Sequence, residues 1–237
     1  MSMGVCLEYF QSLPALLRGE PGEADMAKKA PPLDRIIFQL LVLVGGAALY
    51  GVAAGCWRGP LQAFYTAVKF PLVLLATSFG NALLNGMLAP LLGLNISLRQ
   101  SFFAVLTSFT IASVILASFS PLLIFSVWNA PPLAEAARAG ASYSFILVLH
   151  VAAIAVAGLA ANLRLLQLLD RLGGSRTVAH RILLAWLVGN LFFGSQISWI
   201  LRPFIGSPGL PIEFVRPNAF HGNFYEAVFR ALSQLFD

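Results

Sequence analysis

The side chains able to do chemistry in this sequence are few, and most of them are amides and hydroxyls. Ser78, Asn81, Asn85, His150, Asn190, Ser195 and Gln196 all stand inside long apolar runs. The first three are spaced i, i+3, i+7, which puts them on one face of a helix. An amide in hydrocarbon has lost its water partners, so each of these groups must turn toward other helices or toward a wet cavity. Interhelical hydrogen bonds, at ~0.6 kcal/mol per contact, would make the set a bundle adhesive. The functional alternative is a solute path or a lipid-headgroup site, because intramembrane polar groups mark such sites. Only His150 in the set is ionisable and no Asp or Glu lies inside an apolar run, which argues against proton pumping through a carboxylate relay.

Other chemistries find less to start from. A Ser195–His150 pair would need an orienting acid and a nucleophile elbow, and Gly194-Ser195-Gln196 supplies neither. Cys6 and Cys56 lack metal-ligand spacing. Their expected places, one in the tail and one at the far end of the first span, lie ~30 Å apart across the bilayer and exclude a mutual disulfide. There is no P-loop, no GxGxxG opening a helix and no HExxH, so no metal, no cofactor and no enzymatic activity are expected. Lys69, two residues before Pro71, would bind an anionic headgroup or simply snorkel to the interface.

The elements that must position these groups are membrane helices. The 237 residues are 58% hydrophobic and 11% charged, against roughly 25% charged in soluble domains, and the mean hydropathy is +0.80. The fold class expected is an all-α integral membrane protein with five transmembrane helices and a C-terminal amphipathic interfacial helix. Residues 1–33 form a polar, mildly amphipathic cytoplasmic tail, in which Val5, Leu7, Phe10, Leu13, Leu16 and Leu17 make one face of a short membrane-surface helix interrupted by Pro14, or else stay disordered. About thirty residues precede the first apolar run, which is not the layout of a signal peptide. Residues 34–202 hold the spans: Ile36–Cys56, Pro71–Leu94, Phe102–Val127, Tyr143–Ala161 with an amphipathic extension to Gly173, and Ile182–Leu201. Ala47, Gly51 and Gly55 form a small-residue packing stripe on the first. A Thr/Ser run (Thr107, Ser108, Thr110, Ser113, Ser118, Ser120) and Pro121, where a kink is expected, mark the third.

Residues 203–237 form a Pro-rich outside segment followed by a helix over Asn223–Phe236. Pro203, Pro208, Pro211 and Pro217 forbid regular helix there. Asn223 and Glu226 are placed like a capping box. Arg202, Pro203, Arg216 and Phe224 are the expected outer contact surface. Nine basic residues on the N-terminal side stand against six on the other, together the 15 Lys and Arg, and place the N-terminus in the cytoplasm and the C-terminus outside. Trp57, Trp128 and Trp199 fall at the outer interface and Trp186 at the inner one, as in an aromatic belt. The net charge of +5 is spread over loops, so no nucleic-acid partner is expected.

Three stretches carry a family likeness: WRGPLQAFYTAVKFPLVLLAT leading into the second span, SWILRPFIGSP closing the fifth, and NFYEAVFRAL near the end. Together with the five spans they resemble a group of uncharacterised bacterial inner-membrane proteins, loosely similar to the Yip1-type fold, over residues 36–237. The resemblance implies a non-enzymatic protein that organises or anchors a membrane complex through a membrane-protein partner or a second copy, within the lipid bilayer. The short tail and long C-terminal segment differ from that type, and no binding residue carries over. The alternative expectation is a small-solute or lipid transporter using the polar residues of spans 2, 4 and 5.

Overall fold

The computed structural model describes residues 3–20, 31–130, 141–173, 175–206, 211–226 and 229. Helices α1 (Met3–Gln11) and α2 (Leu13–Arg18) precede α3 (Leu33–Gly55), α4 (Pro60–Leu91), α5 (Leu98–Trp128), α6 (Ala141–Gly173) and α7 (Arg176–Leu201). The last five are long and apolar enough to cross a membrane, and no strand occurs among the described residues. The protein is an all-α, multi-pass membrane protein.

Helices α4 and α5 lie at the centre, with α3 against both on one side and α6 and α7 on the other. The Thr/Ser run explains the position of α5. Thr107 Oγ1 accepts from Gln39 Nε2 at 3.1 Å, and Ser113 Oγ donates to the Leu43 carbonyl at 2.7 Å. Ser108 reaches the Ala161 carbonyl and Ser101 the Ala82 carbonyl. One helix therefore bonds to α3, α6 and α4 through side chains too short to hold the backbones apart. Ser118 bonds within its own helix instead, and Ser120 Oγ is buried without a partner among the described residues.

Tight approach on the other side of α3 depends on missing side chains. A Cβ on Gly51 would sit 2.8 Å from the Thr66 carbonyl carbon, and one on Gly55 would sit 2.7 Å from Ala63 Cα. Those neighbours are backbone and cannot swing aside. The small-residue stripe is the α3–α4 seam.

Several boundaries differ from the sequence expectation. The second span starts at Pro60, not Pro71, because Leu61–Phe70 continues the helix and Pro60 occupies its first turn, where a missing N–H costs nothing. Pro71 lies inside the helix, where neighbouring helices make it tolerable. Pro121 likewise lies within a continuous α5. The last span starts at Arg176 instead of Ile182.

Among the described residues of the tail, 3–18 form two short helices that pack on the bundle. Pro14 stands in the first turn of α2, and the left-handed Gly19 (φ 69°) closes it by donating to the Ala15 and Leu16 carbonyls. Leu16 is buried against Ile111 and Ala161. Arg35, 0% exposed, donates to Ser12 Oγ at 2.7 Å and faces the Tyr9 and Phe38 rings. Trp186 is also misplaced by the aromatic-belt expectation: it is buried in the core with Ala82 and Leu169, since its side of α7 faces the bundle.

The α3–α4 seam yields a paired prediction. Gly51→Ala should lose about 1–3 kcal/mol through overpacking, read as a lower thermal midpoint in detergent. Gly45→Ala, with nothing within 4 Å of its added Cβ, should be neutral or gain up to ~1 kcal/mol from helix propensity. Equal midpoints would show that the seam is loose.

Candidate functional site

The face of α4 that carries Gln62, Thr66 and Lys69 grips the chain that leaves α7. These positions are spaced i, i+4, i+7, so one helix face presents an amide, a hydroxyl and an ammonium group. Gln62 Nε2 donates to the Phe204 carbonyl at 2.7 Å and to that of Pro203 at 3.2 Å. Thr66 Oγ1 donates to the same Phe204 carbonyl at 2.6 Å. Lys69 Nζ donates to the Pro203 carbonyl at 2.9 Å and the Glu213 carbonyl at 3.2 Å. Lys69 is 0% exposed; Tyr65 and Phe214 turn their rings toward its ammonium group, with Nζ 5.3 Å from the Phe214 centroid. It neither snorkels nor reaches outward for a headgroup. A buried charge needs hydrogen bonds to offset its desolvation, and the prolines leave a helix-free backbone whose carbonyls are open to supply them.

The crown, residues 202–226, thus has a fixed base. The Arg202–Pro203 peptide is cis. Arg202 lies over the Trp199 ring, 3.1 Å from its centroid. Desolvation, and then the charge of Arg216, lower its proton affinity below the ordinary guanidinium value. Phe204 meets Phe70 edge-on at 5.3 Å, and Ile205 packs with Trp57 and Ile146. Trp57 is therefore buried in the base.

Beyond Pro217 the chain turns back along α7. Tyr225 O–H donates to the Leu191 carbonyl and Ser195 Oγ lies 3.0 Å from the same phenol oxygen. Leu191 is ten positions before Leu201, about 15 Å down the axis. Gln196 and Phe192 share an open hollow with Asn223, Tyr225, Glu226 and Phe229. Tyr225 thus lies against the flank of α7. Asn223 and Glu226 do pair, through Asn223 Nδ2 to Glu226 Oε1 at 2.6 Å and Glu226 N to Asn223 Oδ1 at 2.9 Å. Residues 224–226 and 229 are helical, and the rest of the expected Asn223–Phe236 helix lies outside the described residues.

The seven intramembrane polar residues do not form one cluster. Asn81 on α4 donates to Asn190 Oδ1 and to the Trp186 carbonyl on α7, and faces Gly189, which has no Cβ to fend it off. Asn85 is buried below it, with Nδ2 unpartnered among the described residues. Ser78 bonds the Leu75 carbonyl of its own helix. His150 lies elsewhere, Nδ1 2.8 Å from Tyr50 O–H with the rings stacked, and Phe70 edge-on. Ser195 and Gln196 face the returning C-terminal segment. Ser195 and His150 thus sit with different partners, Tyr225 and Tyr50.

A cavity of about 300 Å³ opens between α4, α5, α6 and α7. Its lining is apolar apart from Thr77, Ser108, Asn162 and Asn190, and only Asn190 of the expected set reaches it. Gln62, Thr66, Tyr50 and Tyr225 were not legible as site residues. The first two share the spacing of Lys69 and become visible once the helix is started at Pro60. No group of three or more His, Cys, Asp or Glu is placed to hold a metal among the described residues. No family model, no curated protein and no solved structure matches this chain, so the meaning of the site rests on its geometry.

Lys69→Met should keep the apolar stem but leave the Pro203 and Glu213 carbonyls without their charged donor, a loss of about 1.5–3 kcal/mol. Hydrogen exchange at residues 203–206 and 211–216 should rise, with the α3–α5 core unchanged. Wild-type protection in the variant would show that Gln62 and Thr66 hold the crown alone.

Proposed function

We propose that this protein is a non-enzymatic, five-span organiser of a membrane complex, and that its contact surface is the crown together with the flank of α7. The observation that carries this reading is the run of polar groups along that flank. Gln196, Asn223, Tyr225 and Glu226 line a hollow that reaches to Phe192, at a depth where lipid cannot satisfy a carboxylate or an irregular backbone. A surface of this kind calls for protein or water against it. The clasp at Lys69 supports the same reading, because a segment already held in place loses little entropy on binding. The exposed Phe220 (78%) and Phe229 (73%) supply apolar anchors. The occupant is a membrane-protein partner or a second copy. The five-span likeness and the balance of basic residues agree with a bacterial inner membrane, N-terminus cytoplasmic and crown outside.

A second reading, passage of a lipid-like solute, is favoured by one observation, the apolar cavity between α4 and α7 with Thr77, Asn162 and Asn190 at its wall. His150 and the crown take no part in it.

Photo-crosslinking residues placed at Gln196 and Phe220 in intact membranes should give an adduct of one defined protein mass. The same probe at Leu159, exposed on the apolar side of α6, should label lipid alone. Removing residues 218–237 should abolish the protein adduct at Gln196 while leaving the bundle inserted. Lipid labelling at all three positions would overturn the contact surface and move attention to the cavity.

A further inference from the structure

We propose that the base of the crown is an oxyanion site in which Arg202 and Arg216, beside Lys69, take a phosphate group. The clasp itself assembles it. One ammonium group holds the carbonyls of Pro203 and Glu213, so the stretch that carries Arg202 and the stretch that carries Arg216, three residues after Glu213, are both anchored at the base of the crown. Arg216 lies within electrostatic reach of both Arg202 and Lys69. The stem of Arg58 runs along the same base, against Gly206.

The charges of Lys69, Arg202 and Arg216 oppose one another, and an anion among them would relieve that repulsion. Glu213 is the nearby carboxylate in sequence, yet it gives Lys69 only its backbone carbonyl, and neither Arg202 nor Arg216 has an ion pair among the described residues. Arg202 Nη1 is moreover buried without a hydrogen-bond partner among them. Its guanidinium is already oriented by the Trp199 face, so a planar donor fork is held ready for a phosphate, the geometry that arginine reads best. Lys69 gives two of its three N–H donors to carbonyls and adds its field to the site. Arg202 directly follows α7, at the level where a span ends and lipid phosphates lie. The site does not depend on the partner-binding reading: it stands at the end of α7, and it would hold an anion with or without a protein against the flank.

The full-length protein in neutral detergent can be titrated with phosphatidylglycerol, phosphatidylcholine or inorganic phosphate and followed by native mass spectrometry, with Trp199 fluorescence as the second readout. Phosphatidylglycerol should be retained over phosphatidylcholine, with R216Q and R202Q each weakening retention by ~10-fold or more and R216K keeping most of it. Competition by inorganic phosphate would show that the phosphate is the part recognised. Phosphate binding that is lost in R216Q, without lipid preference, would support the oxyanion site with a soluble anion as its source. Should R202Q fail to fold for want of its stacking on Trp199, R216Q decides alone, since Arg216 makes no side-chain hydrogen bond among the described residues. Wild-type retention in R216Q, or no preference between the lipids together with no phosphate effect, would overturn the proposal.

Discussion

The Lys69 ammonium group is the interaction on which the architecture of the crown end depends. A charge fully removed from solvent inside a membrane helix is tolerated only where oxygen atoms surround it, and here they come from backbone that cannot satisfy itself. The Pro-punctuated chain after α7 has carbonyls but no helix to bind them, and α4 has donors but no water to bind them. Each meets the other's need. The pairing fixes where α7 ends relative to α4, brings Phe204 onto Phe70, and sets the direction in which the chain turns back.

The rest of the bundle follows the logic of a medium without a hydrophobic driving force between helices. Attraction there comes from close approach and from hydrogen bonds that lipid cannot offer. Helix α5 supplies hydroxyls to three neighbours, and α3 gives up side chains at Gly51 and Gly55 to let α4 in. The Asn81–Asn190 joint over Gly189 is a third version of the same device, an amide pair made possible by an absent Cβ. Individually these contacts are small. Together they set the rotation of each helix, and rotation decides which polar groups meet.

That division of the polar residues bears on function. A transport path asks for groups that succeed one another along an axis, whereas here His150 is paired with Tyr50, Asn81 with Asn190, and Ser195 with Tyr225. Two of these pairs hold the bundle together and the third holds the C-terminal segment to α7. Among the described residues, the cavity between α4, α5, α6 and α7 is largely apolar, whereas the hollow beside α7 is lined by Gln196, Asn223 and Glu226.

The sequence alone determined the membrane class, the number of spans, the packing role of the Gly51/Gly55 stripe and the absence of helix in the described residues 203–206 and 211–217. All of these are local properties: hydropathy over about twenty residues, small residues at four-residue spacing, and the fixed φ and missing N–H of proline. Only the tertiary structure decided the partners. Lys69 meets Pro203 and Glu213 across separations of 134 and 144 residues, Tyr50 meets His150 across 100, and Leu16 finds its place between α5 and α6. Hydrogen bonds are directional, so these matches depend on how each helix is rotated and where it stands along its axis. No residue type or spacing within a single span records that.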